Sequence, residues 1–143
     1  NQDDAALNKV VAEAQIAEGA DIIFTMLNAG RIGVIEACQE HGVAQIGNVR
    51  DWYEVYPDVF VASAIANVSM AALHAAEDVA SGTFEPGVVV KIGIEDPSAV
   101  RLALSPDVPE DIVAQLDALA AQIAAGEIEV ATEYEGEDFV VGP

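Results

Sequence analysis

Four short polar segments of the chain carry side chains that are suited to binding a small polar molecule. Their groups are amides, carboxylates, guanidinium groups and an indole ring, and each segment adjoins an apolar run. Carboxylate and amide oxygens accept hydrogen bonds from hydroxyl groups, guanidinium and amide nitrogens donate them, and an indole ring offers a stacking surface. These segments therefore favour the binding of a small polar solute. The candidate binding residues are Asn28, Ala29, Gly30, Arg31, Asn48, Asp51, Trp52, Asn67 and Glu95.

Asp51 and Trp52 are adjacent in this set. An acceptor for hydroxyl groups beside a stacking plane is typical of a site for a sugar or a base. The alternative is that Trp52 only packs against the protein. Arg31 and Arg50 are two of only five cations in the chain. Their alternative role is surface pairing with some of the 25 acidic residues, which contributes less than about 1 kcal/mol for each pair.

Gly30 introduces a second possible chemistry. A glycine at the start of a helix lets a ligand approach the free N–H groups there, although a plain strand-to-helix turn is the alternative interpretation. Residues 27–33 also match part of the dinucleotide-binding pattern, with Asp51 eighteen residues after Gly33 and with Asn28 in place of the first glycine. The alternative function is therefore that of a dinucleotide-binding Rossmann-type oxidoreductase domain.

The sequence contains no recognisable catalytic constellation. His41 is expected at a helix end, and His74 is expected to pair with Asp78 across one helical turn. Cys38 lies in an apolar helical pattern and is expected in the core. Neither a nucleophile motif, a phosphate-binding lysine loop nor a cluster of thiols is present. We therefore expect no catalysis, no cofactor and no bound metal.

Helical and strand patterns place the candidate segments along one edge of a sheet. Short apolar runs rich in branched residues alternate with helical patterns, which predicts an open, parallel, three-layer α/β sheet. The carboxyl ends of parallel strands meet at one edge, and ligands of such sheets bind there. The predicted helices cover residues 3–18, 32–42, 68–82 and 109–126, and the predicted strands cover residues 20–27, 43–49, 59–65, 87–94 and 100–104.

Length and charge restrict the class of protein further. A chain of 143 residues has room for one domain, and it lacks an apolar run long enough for a spanning helix. Acidic residues outnumber basic ones by 25 to 5, so the formal net charge is −20. Because this charge repels the phosphate backbone, we do not expect nucleic acid as a partner.

The order and spacing of several short segments resemble the basic membrane protein family, which comprises substrate-binding lipoproteins of ABC importers similar to purine nucleoside receptors. The resemblance covers most of the chain and corresponds to the second lobe of a bilobed protein. It implies a periplasmic-binding-protein-like ligand-binding lobe over residues 1–126. Residues 127–143 are expected to form an acidic C-terminal tail because of their composition. The matching segments are residues 14–24, 33–37, 42–43, 46–47, 56–59, 78–79, 82–84, 108–110 and 126–128.

The same resemblance implies a function in transport. The chain would contribute to the solute-binding component of an ABC importer, with an ABC permease as partner and without catalysis. The ligand would lie in a cleft against a first lobe that is missing from this chain. The full-length protein would be periplasmic or otherwise extracytoplasmic, anchored to the membrane as a lipoprotein, and its ligand would be a nucleoside or a similar small polar solute.

The chain differs from the family pattern at positions that bear on the ligand. Asn28, Ala29, Gly30 and Arg31 replace a glycine-rich turn. Val49 stands where a ribose-binding Asp is often found, with Asp51 two places later, and Glu95 lies near the usual Lys. Phe24 matches a position that can stack on a base, and it fits an apolar core equally well. Both interpretations of Phe24 remain open, and it joins the candidate binding residues.

Overall fold

A computed structural model describes residues 1–133 and 136. All four predicted helices are confirmed within these residues, and so are four of the five predicted strands, with ends that differ by a few residues. The helices are α1 (Ala5–Ala17), α2 (Arg31–His41), α3 (Val68–Ser81) and α4 (Glu110–Ala124), and the strands are β1 (Ile22–Phe24), β2 (Ala44–Val49), β3 (Phe60–Ala66) and β4 (Val100–Leu104).

The first two helices begin and end where the sequence supplies capping groups. The Asp4 carboxylate accepts a hydrogen bond of 3.0 Å from the backbone N–H of Leu7, which satisfies one free donor in the first turn of α1. Gly19 and Gly42 follow α1 and α2 with φ angles of 100° and 66°. A residue without Cβ adopts this left-handed conformation at little cost, so the predicted helix ends at these glycines are confirmed.

The sheet has four strands in the order β1-β2-β3-β4. β1, β2 and β3 are mutually parallel, whereas β4 is antiparallel to β3, with Arg101 opposite Ile65 and Leu104 opposite Ala62. The predicted α/β class is therefore confirmed, and the prediction that every strand is parallel was wrong for β4. Apolar periodicity indicates a strand but carries no information about its direction.

The path of the chain after α3 explains the direction of β4. The segment that follows α3 returns along that helix. Phe84, Glu85 and Val88 line one cavity together with Ala75 and Asp78, and Val90 and Ile92 line another together with Val68 and Ala71. This return brings the chain back to the edge where β3 ends. β4 therefore starts at that edge and runs in the opposite direction to β3.

The strand predicted over residues 87–94 is absent from the structure. These residues form no ladder, and Val88, Val89 and Val90 are 56%, 83% and 71% exposed. Their apolar, branched composition is typical of a strand. The prediction was wrong because the segment lies along α3, where no described strand offers backbone hydrogen bonds.

The described core lies where α1 and α2 pack against the sheet. Cys38 is only 1% exposed within it, which confirms the prediction that this residue is part of the core, and burial raises the pKa of its thiol. Neither α3 nor α4 contains a buried residue. The buried cluster consists of Ala12, Ile23, Val34, Ile35, Ala37, Cys38, Val59 and Phe60.

Gly33 lies where the backbones of α1 and α2 come closest. A Cβ atom at this position would lie 1.8 Å from the carbonyl oxygen of Ala5 and 3.0 Å from the backbone nitrogen of Lys9. Backbone atoms cannot move aside independently, so only glycine fits between the two helices here. The close packing of α1 on α2 therefore explains why this residue is a glycine.

The chain after α4 is described only in part. Residues 128–132 adopt neither helix nor strand. The predicted acidic tail over residues 127–143 thus lies partly outside the described residues. Among the described helices, none has the length and apolarity that crossing a bilayer requires.

Candidate functional site

The polar segments that the sequence singled out meet at the carboxyl edge of β1, β2 and β3. Because β4 is antiparallel, the loop that precedes it lies at the same edge. The backbone N–H of Asn67, directly after β3, donates to the carbonyl oxygen of Ala99 at 2.8 Å, and its side-chain amide donates to the Ser98 carbonyl at 3.4 Å. The expected placement of residues 95–98 at this edge is therefore correct, although they precede a strand rather than follow one.

Arg31 is the first residue of α2, and only 4% of its surface is exposed. Its guanidinium donates to the Thr25 hydroxyl at 3.2 Å, to the Leu27 carbonyl at 2.8 Å and to the side-chain oxygen of Asn48. No carboxylate of a described residue lies within ion-pairing distance of it. Burial lowers the pKa of Arg31. Arg31 therefore joins the ends of β1 and β2 through neutral oxygen acceptors, and the alternative of surface pairing does not apply to it.

Trp52 packs against this polar network and remains partly exposed. Its indole N–H donates to the Asn48 carbonyl at 2.9 Å, and its backbone N–H donates to the Ser63 hydroxyl at 3.1 Å. The guanidinium carbons of Arg31 and Arg50 lie 4.5 Å and 4.8 Å from the centre of its ring. These distances are typical of cation–π contacts. The indole is therefore fixed in orientation by strands β2 and β3.

The aromatic neighbours of Trp52 complete its packing. Its ring is stacked with those of Phe60 and Tyr56 at centroid distances of 5.9 Å and 6.4 Å. A Cβ atom at Gly47 would lie 2.5 Å from Cδ1 of the indole, so glycine makes room for the ring. The packing interpretation of Trp52 is thus correct, and its exposed part remains accessible to a ligand.

The chain turns sharply at Val49, the last residue of β2. Val49 has a φ angle of 72°, the only positive value found outside glycine in the described part of the chain. The backbone N–H of Arg50 donates to the Asn48 carbonyl at 2.9 Å across this residue. Together the two features describe a strained γ-turn, and such strain is found mainly at functional sites. The turn directs the chain from β2 into the segment that carries Arg50, Asp51 and Trp52.

Replacing Val49 with glycine should raise the free energy of unfolding by about 1 kcal/mol. A left-handed β-branched residue costs about 1 to 3 kcal/mol, whereas glycine adds about 0.5 to 1 kcal/mol of chain entropy to the cost of folding. Equilibrium urea denaturation measures the difference. Val61→Gly, within β3, is the matched control and should lower stability. Equal losses in both variants would contradict a strained turn at Val49.

A cleft of about 420 Å³ opens at this edge next to the turn. One wall is residues 49–51 and Glu54, the other is residues 65–69, and Arg101 from β4 closes one side. Asp51 is partly buried, and its Oδ1 atom accepts a hydrogen bond of 3.0 Å from the Tyr53 backbone N–H. Of the candidate residues, Asp51 and Asn67 line this cleft, while Asn48 and Trp52 support its wall.

The loop before β4 is held in place by Asp96. Its carboxylate accepts hydrogen bonds of 3.0 Å from the Ser98 backbone N–H and 2.5 Å from the Ser98 hydroxyl, and His74 Nε2 lies 3.5 Å away. The Ser98 hydroxyl, followed by the Ser98 backbone N–H and the charge of His74, lowers the pKa of Asp96. The His74 side chain thus faces Asp96, although the sequence suggested Asp78 as its partner. Glu95 in the same loop is exposed, and its carboxylate accepts a 2.7 Å hydrogen bond from the Gly93 backbone N–H.

The amides at the start of α2 are occupied by the amino-terminal residues of the chain. The N–H of Gly30 donates to the Gln2 carbonyl at 3.0 Å, and that of Ala29 lies 3.4 Å from the Asp3 carboxylate. The Asn28 side chain lies 3.4 Å from that of Gln2. These contacts leave little room for a phosphate at the position where the dinucleotide pattern would require one.

Phe24 lies apart from the cleft described above. Its side chain is 56% exposed at the end of β1, beside a shallow depression that also includes Ile22 and Gly19. The core interpretation of Phe24 is therefore wrong. Its exposed ring is accessible for stacking on a ligand.

One group of possible metal ligands lies at the opposite end of α2. Ligand atoms of Glu13, Glu40 and His41 are within 4.8 Å of one another. The Lys9 ammonium is 2.6 Å from Glu40 and 3.7 Å from Glu36, and its hydrogen bond with Glu40 is the main cause that raises the pKa of Lys9. The Lys9 ammonium thus already balances part of the negative charge of these acidic side chains. The packing of α1 against α2 explains why the three possible ligands lie close together.

The sequence did not identify Glu54, Ser69 and Arg101 as residues of the cleft. Glu54 and Ser69 lie two residues beyond the candidates Trp52 and Asn67, so wider segments would have included them. Arg101 reaches the cleft because it is opposite Ile65 in an antiparallel pair. No sequence signal for that pairing is present.

Comparison with known proteins supports the architecture described above. The sequence model of the family described as "ABC transporter substrate-binding protein PnrA-like" (Bmp) matches residues 1–133. The curated protein "Basic membrane protein B" of Borrelia garinii subsp. bavariensis is 31% identical over 97 residues, which are 65% of this chain and 28% of that protein.

Solved structures agree with this assignment at the level of the fold. A transcriptional activator of the comK gene from Bacillus halodurans has a TM-score of 0.80 at 19% identity, over 90% of this chain and 45% of that chain. A solute-binding protein of an ABC transporter system from Aeropyrum pernix K1 has a TM-score of 0.77 at 19% identity, over 94% and 46%. A further solute-binding protein from Conexibacter woesei has a TM-score of 0.64 at 22% identity, over 90% and 43%.

The chain thus spans less than half the length of each of these proteins. The predicted periplasmic-binding-protein-like fold is confirmed by the two solute-binding structures. Since the family match extends over nearly the whole described chain, the chain belongs to the Bmp family of PnrA-like ABC transporter substrate-binding proteins.

Proposed function

We propose that this chain is one lobe of the extracytoplasmic solute-binding component of an ABC importer, and that it binds its solute at the carboxyl edge of the sheet without catalysis. The observation that carries the proposal is the cleft between residues 49–54 and 65–69, which lies at the edge where ligands of α/β sheets bind. The proposed solute is a nucleoside or a similar small polar molecule.

The polar groups of the cleft are compatible with such a solute. The second carboxylate oxygen of Asp51 makes no hydrogen bond with a described residue, so it is available to accept hydroxyl donors. The side chains of Asn67 and Ser69 on the facing wall are joined to each other at 2.5 Å and add amide and hydroxyl groups. Trp52 behind Arg50 adds aromatic surface.

The other parts of the complete protein are proposals as well. The chain covers 43% to 46% of the solved structures that share its fold, so a first lobe would supply the opposite wall of the binding cleft. An ABC permease would receive the solute. Anchoring of the full-length protein to the membrane as a lipoprotein belongs to the same proposal.

Two alternatives receive less support. The dinucleotide-binding hypothesis needs free N–H groups at Gly30, and the amino-terminal residues of the chain occupy them. One protein with this fold is described as a transcriptional activator, so the fold alone does not distinguish transport from sensing. The family match favours substrate binding in an ABC system.

Replacing Asp51 with alanine tests the proposal. The variant should bind its solute more weakly by about 1.5 to 3 kcal/mol, because a hydrogen bond that involves a charged group contributes this much. Adenosine, inosine, guanosine and uridine are titrated into the full-length two-lobed protein, with heat and Trp52 fluorescence as the two signals.

Asp21→Ala is the matched control, since it removes the same charge from an exposed residue at the opposite edge of the sheet. It should leave the affinity within about twofold of the unmodified protein. If Asp51→Ala also leaves the affinity unchanged, Asp51 is not part of the site. If none of the four nucleosides binds, nucleoside transport is refuted.

A further inference from the structure

We propose that the solute carries a negatively charged group, a carboxylate or a phosphate, and that Arg50 and Arg101 receive it. The inference rests on the proposed function, because it names the chemistry of the solute that would occupy the same cleft. It differs from the assignment of a neutral nucleoside in predicting an acidic substituent on a hydroxylated molecule.

The distribution of ion pairs distinguishes the arginines from the lysines. Lys9 pairs with Glu36 and Glu40, and Lys91 lies 3.4 Å from Glu133. Among the described residues, none of the three arginines has a carboxylate within 4.0 Å, although the chain contains 25 acidic residues. In a chain this acidic, an arginine stays without an acidic partner only where the fold keeps carboxylates away from it. Two of the three arginines, Arg50 and Arg101, line the cleft.

Arg50 presents its guanidinium in a form ready to bind an anion. Its guanidinium makes no hydrogen bond or ion pair with a described residue, and it lies over the face of Trp52, 4.8 Å from the ring centre. Stacking on a ring restricts the guanidinium while leaving the N–H donors along its edge free. Trp52 itself is fixed by hydrogen bonds to Asn48 and Ser63. The Arg50 donors are therefore held in place without hydrogen bonds to the described residues.

Arg101 adds a second guanidinium from another strand. It is exposed, and within the described part of the chain its side chain makes one hydrogen bond, a long one of 3.5 Å to the Pro97 carbonyl. Ile65 of β3 pairs with Val49 on one side and with Arg101 on the other. Arg101 therefore lies two strands away from the turn at Val49 that leads to Arg50. Two guanidinium groups, one from the segment after β2 and one from β4, are suited to the planar, multiple hydrogen bonds that carboxylate and phosphate accept.

The acidic residues of the cleft define the rest of the solute. Asp51 and Glu54 line the same space but form no ion pair with either arginine. Carboxylates accept hydroxyl donors, whereas the arginines donate to an anion, so the cleft offers complementary groups to a hydroxylated acid. The chain as a whole has a net charge of −20 and repels an anion, so an anion needs cationic groups such as these arginines to bind. The cleft is thus a favourable place for the negative group.

Two pairs of probes, each differing by one anionic group, test the inference on the full-length two-lobed protein. Adenosine is compared with adenosine 5′-monophosphate, and uracil is compared with orotate, so that phosphate and carboxylate are tested separately. The anionic member of at least one pair should bind about tenfold more tightly than the neutral member, which corresponds to one charge-assisted contact.

Arg50→Gln and Arg101→Gln should each weaken binding of that anionic probe by about tenfold and leave the neutral probe within about twofold. Lys91→Gln, which removes a cation outside the cleft, is the control and should affect neither probe. Equal or tighter binding of the neutral member in both pairs would overturn the inference while leaving the proposed function in place. An equal effect of the arginine variants on both members would also overturn it. If no probe of either pair binds, the proposed function fails, and this inference fails with it.

Discussion

Replacing Gly33 with alanine should lower the free energy of unfolding by about 3 kcal/mol, at the upper end of the usual cost of overpacking. The added methyl group would lie 1.8 Å from the Ala5 carbonyl oxygen, closer than non-bonded atoms can approach. Relief requires α1 as a whole to move away from α2, which would open the part of the core around Ala12 and Ile35. Urea denaturation followed by circular dichroism measures the loss.

Gly93→Ala provides the matched control for this substitution. A Cβ atom at Gly93 meets only the far end of the flexible Glu95 side chain, so stability should change by no more than about 0.5 kcal/mol. Within a helix, alanine is normally favoured over glycine by about 1 kcal/mol. A rise in stability of Gly33→Ala would therefore show that α1 and α2 are not in backbone contact.

The Gly33→Ala substitution also tests the hypothesis that residues 27–33 form part of a dinucleotide-binding pattern. Under that hypothesis Gly33 contributes to cofactor binding as well as to packing. The structure accounts for it by the position of α1 alone. If NAD leaves the stability of the unmodified protein unchanged while Gly33→Ala lowers it, the packing explanation is supported and the cofactor role is not.

The second large effect is expected for Arg31→Met, which should lower the free energy of unfolding by about 3 kcal/mol. Removal of a buried hydrogen-bonding partner costs about 1 to 3 kcal/mol for each group left without one. Here the Leu27 carbonyl and the Asn48 side-chain oxygen each lose a donor, and Trp52 loses a cation from its ring. Relief of the burial cost of the guanidinium offsets part of this loss.

Arg101→Met is the matched control for Arg31→Met, because it makes the same change at an exposed arginine. Its effect on stability should remain within about 0.5 kcal/mol. The emission of Trp52, the only tryptophan in the chain, should change in Arg31→Met and remain constant in the control. An Arg31→Met variant as stable as the unmodified protein would mean that the cost of burying the charge outweighs its hydrogen bonds.

Local sequence patterns predicted the elements of the fold well. Spacing of apolar residues and the glycines at 19, 42 and 82 located the helices, since both signals act within a few residues. The prediction of a strand over residues 87–94 was wrong. Their composition is typical of a strand, but a strand forms only where a neighbouring strand offers backbone hydrogen bonds. The direction of β4 failed for a related reason, since it depends on the route that the chain takes along α3.

The candidate site was predicted in outline but not in detail. Because the carboxyl ends of parallel strands meet at one edge, the sequence placed Asp51, Trp52 and Asn67 at the edge where the cleft lies. It did not reveal that Arg31, at the start of α2, is buried, because that burial depends on Asn48 in strand β2. It also did not identify Arg101, whose position depends on long-range strand pairing.

Three of the five cations of this acidic chain lie at one edge of the sheet, and carboxylates such as those of Asp51 and Glu54 lie there too. All three arginines lie at the carboxyl edge, and the acidic residues greatly outnumber them over the chain as a whole. An approaching anion would first be repelled by the net charge of the whole molecule, and Arg50 and Arg101 would attract it only within a Debye length, roughly 10 Å at 0.1 M salt. Added salt weakens the distant repulsion more than the attraction at contact. Moderate ionic strength would therefore speed the encounter of an anionic solute with this protein, the reverse of the usual behaviour of a cationic site on a neutral or basic protein.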